Sequence, residues 1–288
     1  MAPKNPLRLT RKTHFLAREH LRRFADGEGK IHVYKKGRDE PITTHPDVKG
    51  LFSVDGIWSH EAETRMTGIE DRFWTFLDAF QAAPSMINQD VVSDYFAMWR
   101  ARVEFTKSYQ AFEVPLVGIT PSNLKTTVKV LDSEGREIEA TAEDSLESRG
   151  VGFYSTDIQA SARSNSGVVI QRLINHFKRL TRKARIRWGV IEIPDAVLVL
   201  PDRVTTFDIP VSPHCFLHGF TEDEEFSPLN TAHASNAAEL NTGSFGSAYN
   251  VVVSSSPELL VAIRQAVARA GVSGAIVGPE TDMRVAPK

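Results

Sequence analysis

THFLAREHLRRFADG, from Thr13 to Gly27, followed after Glu28 and Gly29 by KIHVYKKG, from Lys30 to Gly37, decides how this chain is read. Thr13 is suited to cap a short helix whose Ala17, Leu21 and Phe24 share one face. Gly27 and Gly29 then supply a turn, and Ile31, Val33 and Tyr34 open a strand. His14 stands seven residues before Leu21, which predicts a place on the buried face at the helix N-terminus. A histidine there is either a hydrogen-bonded core group or the first member of a site. Helical spacing through most of the first half and short β-like runs from Trp188 onward predict an α+β fold: a mostly helical N-terminal half packed with a small antiparallel or mixed sheet from the C-terminal half.

Composition narrows the classes. A chain of 288 residues, 41% hydrophobic and 24% charged, has the make-up of a globular protein with a sizeable core. Its net charge of −2 gives no global field that would favour nucleic acid or an anionic membrane, so any such surface must be local. Cys215 is the single cysteine, which excludes an intrachain disulfide and a thiolate metal cluster. Met1 to Lys12 is basic but lacks the apolar core of a signal peptide, and no apolar run approaches the length of a membrane span. The expectation is a cytoplasmic protein with no membrane partner. Its expected parts are a disordered basic tail over 1–12, a single α+β domain over 13–270 and a flexible tail over 271–288.

Taken in order, Arg38 to Gly56 reads as an irregular connection anchored by Phe52 and Trp58. Met66, Ile69, Phe73, Phe76, Leu77 and Phe80 predict a helix from about 59 to 82, stopped by Pro84. Glu63 and Glu70 lean toward its apolar face, about 10 Å apart along the axis. A second helix is predicted over 88–109, with Val91, Tyr95, Met98, Trp99, Val103 and Phe105 inward. The stretch 121–141 suits a helix or a hairpin and is assigned to helix; 143–165 reads as a loop. Val168 to Arg182 returns to helical spacing and closes a helical part spanning about 59–182. A β-rich part follows over 186–253: strands over 188–193, 196–200 and 206–211 in an antiparallel meander, with 215–220 as a further edge. A helix is expected over 228–240, a short segment over 249–253 and a closing helix over 257–270.

The densest positive stretch begins on the 168–182 helix and runs past its end. Lys178, Arg179, Arg182, Lys183 and Arg185 form either a solvated face or a nucleic-acid contact surface. Standard signatures are missing: there is no phosphate-binding loop, no dinucleotide glycine fingerprint and no nucleophile elbow. His14 and the Glu19–His20 pair do not have the spacing of a two-histidine zinc helix. His214 and His218 lie four apart, but on a strand or turn they would be separated.

Three blocks give the chain a family resemblance. His14-Phe15, His20-Leu21, Phe24 and Val33-Tyr34-Lys35-Lys36 stand in the order of a His-aromatic, Tyr-Leu, Phe and "vYDK" opening, with Ala17 in place of a proline and His20 in place of a tyrosine. Trp188 and Val197 to Asp202 sit where a Trp, a strand and a Ser-Asp-Asn-Pro turn occur, Asp202 matching the aspartate. Ile209 to Pro213 is similar to a "PLSP" block, and Leu229-Asn230 with Ala237-Ala238 to an Asn-to-Ala helix. In these the chain resembles the mostly bacterial domain of unknown function family 4238, from about His14 to Val252. The resemblance adds weight to glutamates on the long helix and implies a role in bacterial defence or stress responses.

The expected site gathers distant elements: His14, Glu70 and Asp202 as catalytic groups, with Glu63, Glu70 and Asp202 as ligands for Mg²⁺ or Mn²⁺. Such a set would activate water against a phosphodiester, giving a metal-dependent nuclease or phosphodiester hydrolase, with Lys178 to Arg185 on the substrate backbone. Two alternatives stand beside it. One makes the same polar residues a buried hydrogen-bond network joining the two halves; the other makes the chain a non-catalytic regulatory module that binds nucleic acid or protein.

Overall fold

The computed structural model describes residues 13–48, 51–54, 57–82, 86–107, 129–131, 137–138, 154–155 and 166–269. The two expected tails and most of the expected 143–165 loop lie outside these residues.

The opening departs from its expected helix. Thr13–His14 is a short strand, β1, paired antiparallel with Ser53–Val54, and the amide of Phe15 continues the pairing onto the Phe52 carbonyl at 3.1 Å. The distant partner satisfies the backbone that a helix would have satisfied locally, so Ala17 stays extended and helix α1 runs only over Arg18–Arg23. Glu19 in its first turn and Arg22 and Arg23 in its last complement the helix dipole. His14 is accordingly half-buried on a two-stranded ribbon and not on a helix face. Strand β2 (Ile31–Lys35) forms as expected, while the connection expected to be irregular contributes β3 (Ile42–Thr44) and β4 (Ser53–Val54).

Helices α2 (His60–Ala82) and α3 (Gln89–Lys107) follow the apolar spacing. The expected helix over 121–141 is not formed where the chain is described: β5 (Lys129–Leu131) pairs with β6 (Glu137–Ile138) and with β7 (Tyr154–Ser155). Helix α4 (Ser166–Lys183) then packs against α3 and α2. α3 is the central helix. Val92, Tyr95, Phe96, Trp99, Ala101, Arg102 and Val103 are all buried, a pattern that runs round the helix instead of along one stripe.

Two four-stranded sheets flank this core. One contains β8 (Arg187–Glu192), β10 (Asp208–Ser212), β11 (Cys215–Phe220) and β12 (Leu229–Thr231), in the order β10-β11-β8-β12. β11 is thus central and not an edge, and β12 pairs parallel to β8, so the sheet is mixed. The other has the order β3-β2-β13-β9, where β9 is Leu200–Pro201 and β13 is Val251–Ser254. It joins strands from the beginning and the end of the chain, which the expectation of a purely C-terminal sheet does not include. Helix α5 (Ala234–Ser247) starts after β12, and α6 (Pro257–Arg269) follows β13. The helix expected over 228–240 therefore begins later, because Leu229–Thr231 is drawn into pairing with β8.

The fold is α+β. Ile31, Val33, Val251 and Val253 face the main core, which continues through the helices to Trp188, Ile209 and Leu217. Tyr34 and Val252 face the other way, onto a smaller cluster with Phe245 of α5 and Leu260 and Ile263 of α6. Among the described residues no helix is long and apolar enough to cross a membrane.

Candidate functional site

Strand alternation fixes what the mixed sheet shows to each side. Trp188, Val190, Ile209, Val211 and Leu217 point into the core, so Ile191, Asp208, Phe216 and His218 point to the opposite face. Two connections cross that face on their way to the other sheet: the turn 201–206 between β9 and β10, and helix α5 between β12 and β13. Together they enclose a cleft of about 470 Å³, within the size range of small-molecule sites. Its floor is Ile191, Asp208, Phe216 and His218. One wall is the turn with Arg203, Thr205 and Thr206; the other is the α5 face carrying Asn236, Glu239, Gly243, Ser244 and Ser247.

On the floor, His218 and Asp208 are cross-strand partners, and Nδ1 of the imidazole lies 2.6 Å from Asp208 Oδ1. Nε2 faces Glu224 Oε1 at 3.5 Å, and the Phe220 ring stands edge-on at 4.6 Å. Burial works against the imidazolium, but Asp208 and Glu224 together outweigh it and hold the His218 pKa above its ordinary value. The arrangement presents an oriented imidazole, its charged form favoured by two carboxylates, to a mainly apolar cleft whose lining also includes Arg203.

The turn wall is held by a residue that the sequence singles out. Asp202 is buried, and its carboxylate accepts the amides of Tyr249 at 2.7 Å, Asn250 at 2.8 Å and Val251 at 3.0 Å. Burial pushes its carboxyl above the usual range, against the pull of those amides and of Lys36. Trp99 Nε1 donates to the Asp202 carbonyl, and Arg100 donates to the carbonyls of Val204 and Thr205. Asp202 therefore fixes the turn that lines the cleft without lining it. On the other wall, Asn241 pins α5 by accepting from the Val199 amide at 2.8 Å and donating to the Val197 carbonyl at 2.7 Å.

The remaining expected site residues lie elsewhere. Glu70 accepts from Arg102 at 2.6 Å in a buried ion pair between α2 and α3, and burial raises its pKa. Glu63 accepts from the Trp58 indole, and His14 sits on the β1–β4 ribbon. The oxygens expected to hold Mg²⁺ or Mn²⁺ thus serve protein donors. Among the described residues no group of three His, Cys, Asp or Glu stands close enough to share a metal ion. Of the basic residues, Lys178 pairs with Asp94 and Arg185 with Glu222, whereas Arg179, Arg182 and Lys183 are exposed and make no ion pair among the described residues.

His214 and His218 are indeed separated, the former bonding the Ala196 carbonyl from a turn. A second histidine–aspartate contact, His32 to Asp26 at 3.2 Å, serves the fold, because Asp26 also accepts the amides of Glu28 and Lys30 and so closes the Gly27 turn.

Gly243 offers a check on the cleft wall. A Cβ there would meet nothing within 4 Å, and glycine inside a helix costs about 1 kcal/mol relative to alanine. Gly243→Ala is expected to raise the stability read from urea titration by that amount with the m-value unchanged.

Comparison with protein-family models, with curated proteins and with solved structures returns no match.

Proposed function

We propose that the cleft is the site of a phosphodiester hydrolase, with His218 as the proton donor and Arg203 as the anchor for substrate phosphate. The observation that carries this reading is the His218–Asp208 contact on the floor of a cleft of small-molecule size, whose mainly apolar lining is interrupted by a few polar groups. With Asp208 on Nδ1, the proton for transfer would sit on Nε2, which in this structure faces the surface carboxylate of Glu224 at 3.5 Å. The guanidinium of Arg203 suits the charge of a phosphate, and the hydroxyls of Thr205, Thr206, Ser244 and Ser247 add hydrogen-bonding groups.

In the proposed step, water attacks phosphorus and gives its proton to the Glu239 carboxylate. The bond from phosphorus to the leaving oxygen breaks as His218 Nε2 delivers its proton to that oxygen. Asp208 stabilises the imidazolium before transfer and sets the ring orientation. No step runs through Mg²⁺ or Mn²⁺, since Glu63, Glu70 and Asp202 already hold protein groups.

The test uses the full chain on bis(p-nitrophenyl) phosphate and on labelled single-stranded RNA and DNA, with EDTA and separately with Mn²⁺. Turnover should survive EDTA. His218→Gln should lower kcat about 10²- to 10⁴-fold. Because the donor must be protonated, wild-type kcat should fall as pH rises past the elevated His218 pKa. Gly243→Phe should keep the fold and abolish turnover by filling the cleft. Cleavage by His218→Gln at the wild-type rate would discard the reading.

A further inference from the structure

The cleft-facing side of the mixed sheet continues past His218 toward the basic end of α4. Arg187 and Phe220 are direct cross-strand partners, two residues from the Gly189–His218 pair, so they lie about 7 Å further along the same face. Arg187 stacks on Phe226 at 4.4 Å, and Phe226 meets Phe220 edge-on at 5.5 Å. Arg185 follows directly on the last turn of α4, its amide donating to the Arg182 carbonyl at 3.1 Å, and Arg179, Arg182 and Lys183 are exposed on that helix.

The loop that crosses this end of the sheet contains four consecutive acids, Glu222-Asp223-Glu224-Glu225, all exposed. Two of them are engaged on this face. Glu222 pairs with Arg185, and Glu224 lies against His218 Nε2 while accepting from the amide and hydroxyl of Thr221. The loop rests directly on the strand: a Cβ on Gly189 would lie 2.5 Å from the Ser227 carbonyl oxygen and 2.7 Å from the Phe220 ring.

We infer that the 222–225 loop is a built-in mimic of a phosphate chain. Its carboxylates hold Arg185 and His218 until a nucleic-acid strand, entering along Arg179, Arg182 and Lys183, displaces them and runs to the cleft. The inference rests on the hydrolytic reading for where the strand ends but not for whether it binds. Backbone charge would be met by arginine and lysine, and the partly exposed Phe226 ring, already stacked under Arg187, is the one aromatic surface along the way on which a base could rest. Glu224 occupies the place in front of Nε2 where the leaving oxygen must come, so binding and readiness for proton transfer are one event. Both acids are on the surface, where such ion pairs are weak, so displacement by a polyanion is easy.

The experiment is fluorescence anisotropy of the full chain with a labelled 12-nucleotide single-stranded RNA at low temperature in EDTA, over a series of salt concentrations. Glu222→Gln with Glu224→Gln keeps the shape and the Thr221 acceptor while removing two charges. It should tighten binding about five-fold at low salt. Arg182→Glu with Lys183→Glu should weaken binding at least ten-fold and flatten the dependence of log Kd on log salt. Tighter binding in the first variant with no cleavage in either would remove the hydrolytic reading and leave the track standing. Cleavage by the wild type together with unaltered affinity in both variants would overturn the track alone.

Discussion

Asp202→Ala is expected to lower the stability of the folded chain by about 2 to 4 kcal/mol, a large part of the roughly 5–15 kcal/mol that a folded domain has. The wild-type carboxylate accepts three backbone amides at 2.7–3.0 Å, and the residue is 3% exposed. Truncation removes the acceptor of the buried Val251 amide, at about 1–3 kcal/mol for a buried group left unsatisfied, and removes the carboxylate from the part-buried amides of Tyr249 and Asn250, where water can replace much of it. Part of the loss is offset, because the variant also removes a carboxylate that burial disfavours. Asp202→Asn separates the two contributions: its amide oxygen can still accept, but its NH₂ faces an amide donor, so about half the effect should remain. The same bonds tie the 201–206 turn to the start of β13, so the wall carrying Arg203 should loosen with them. In urea titrations both variants should shift the midpoint, alanine more than asparagine. Binding of nucleotide-sized phosphate ligands should weaken in Asp202→Asn even under conditions where it is fully folded. An alanine variant as stable as the wild type would show that the turn is held by Trp99 and Arg100 alone.

Asp202 stands out in the sequence as a catalytic acid and serves in the fold as a clamp on a turn, a contrast that shows which features a linear reading reaches. Local periodicity is visible: the apolar repeats of α2, α3 and α4 are set by residues a few positions apart, and these helices form where expected. Pairings between distant segments are not. Thr13–His14 becomes a strand because Ser53–Val54 lies beside it, and Leu229–Thr231 leaves its expected helix because β8 offers an edge. The candidate site belongs to the second class. Asp208 and His218 meet only once β10 and β11 fold back on each other in the register 208 to 218. Weighing His218 by its helical spacing from His214 hides that partnership. The signal lies in the alternation of Asp208 and Pro210 on one strand and Phe216 and His218 on the other, flanking the turn at Pro213-His214. The acidic run 222–225 is equally visible as charge, but only the fold sets it against Arg185 and His218. Buried ion pairs are the hardest to read. Glu70 leans inward as expected, but sequence gives no sign that Arg102, one helix away, supplies its partner.

A second large effect should appear in acid, and its source is His20. The ring is fully buried, ringed by Phe24, Trp74, Tyr95 and Trp99 with centroids 5.0–6.2 Å away. Its Nε2–H donates to the Pro210 carbonyl, and its Nδ1 accepts from the Tyr95 hydroxyl at 3.1 Å, so the neutral ring has both nitrogens satisfied. Burial, aided by nearby Arg23 and opposed by the Pro210 carbonyl, lowers its pKa to about 3 from 6.5. Between those two values the unfolded chain binds a proton that the folded chain does not, so stability rises with pH across that window and falls as acid is added. The slope is about 1.4 kcal/mol per pH unit, which makes the loss about 3 kcal/mol between pH ~6.5 and pH ~4. Below about pH 3 both states carry the proton and this contribution levels off. His20→Gln keeps a donor and an acceptor but does not titrate. It should be less stable than the wild type at neutral pH, where it loses ring contacts, and the gap should close as pH falls, because carboxylate titration affects both proteins alike. Urea midpoints measured from about pH 7 to about pH 4 read this directly. Parallel curves for the two proteins would mean that His20 is protonated without penalty, which four surrounding rings and a hydrogen-bonded neutral tautomer do not allow.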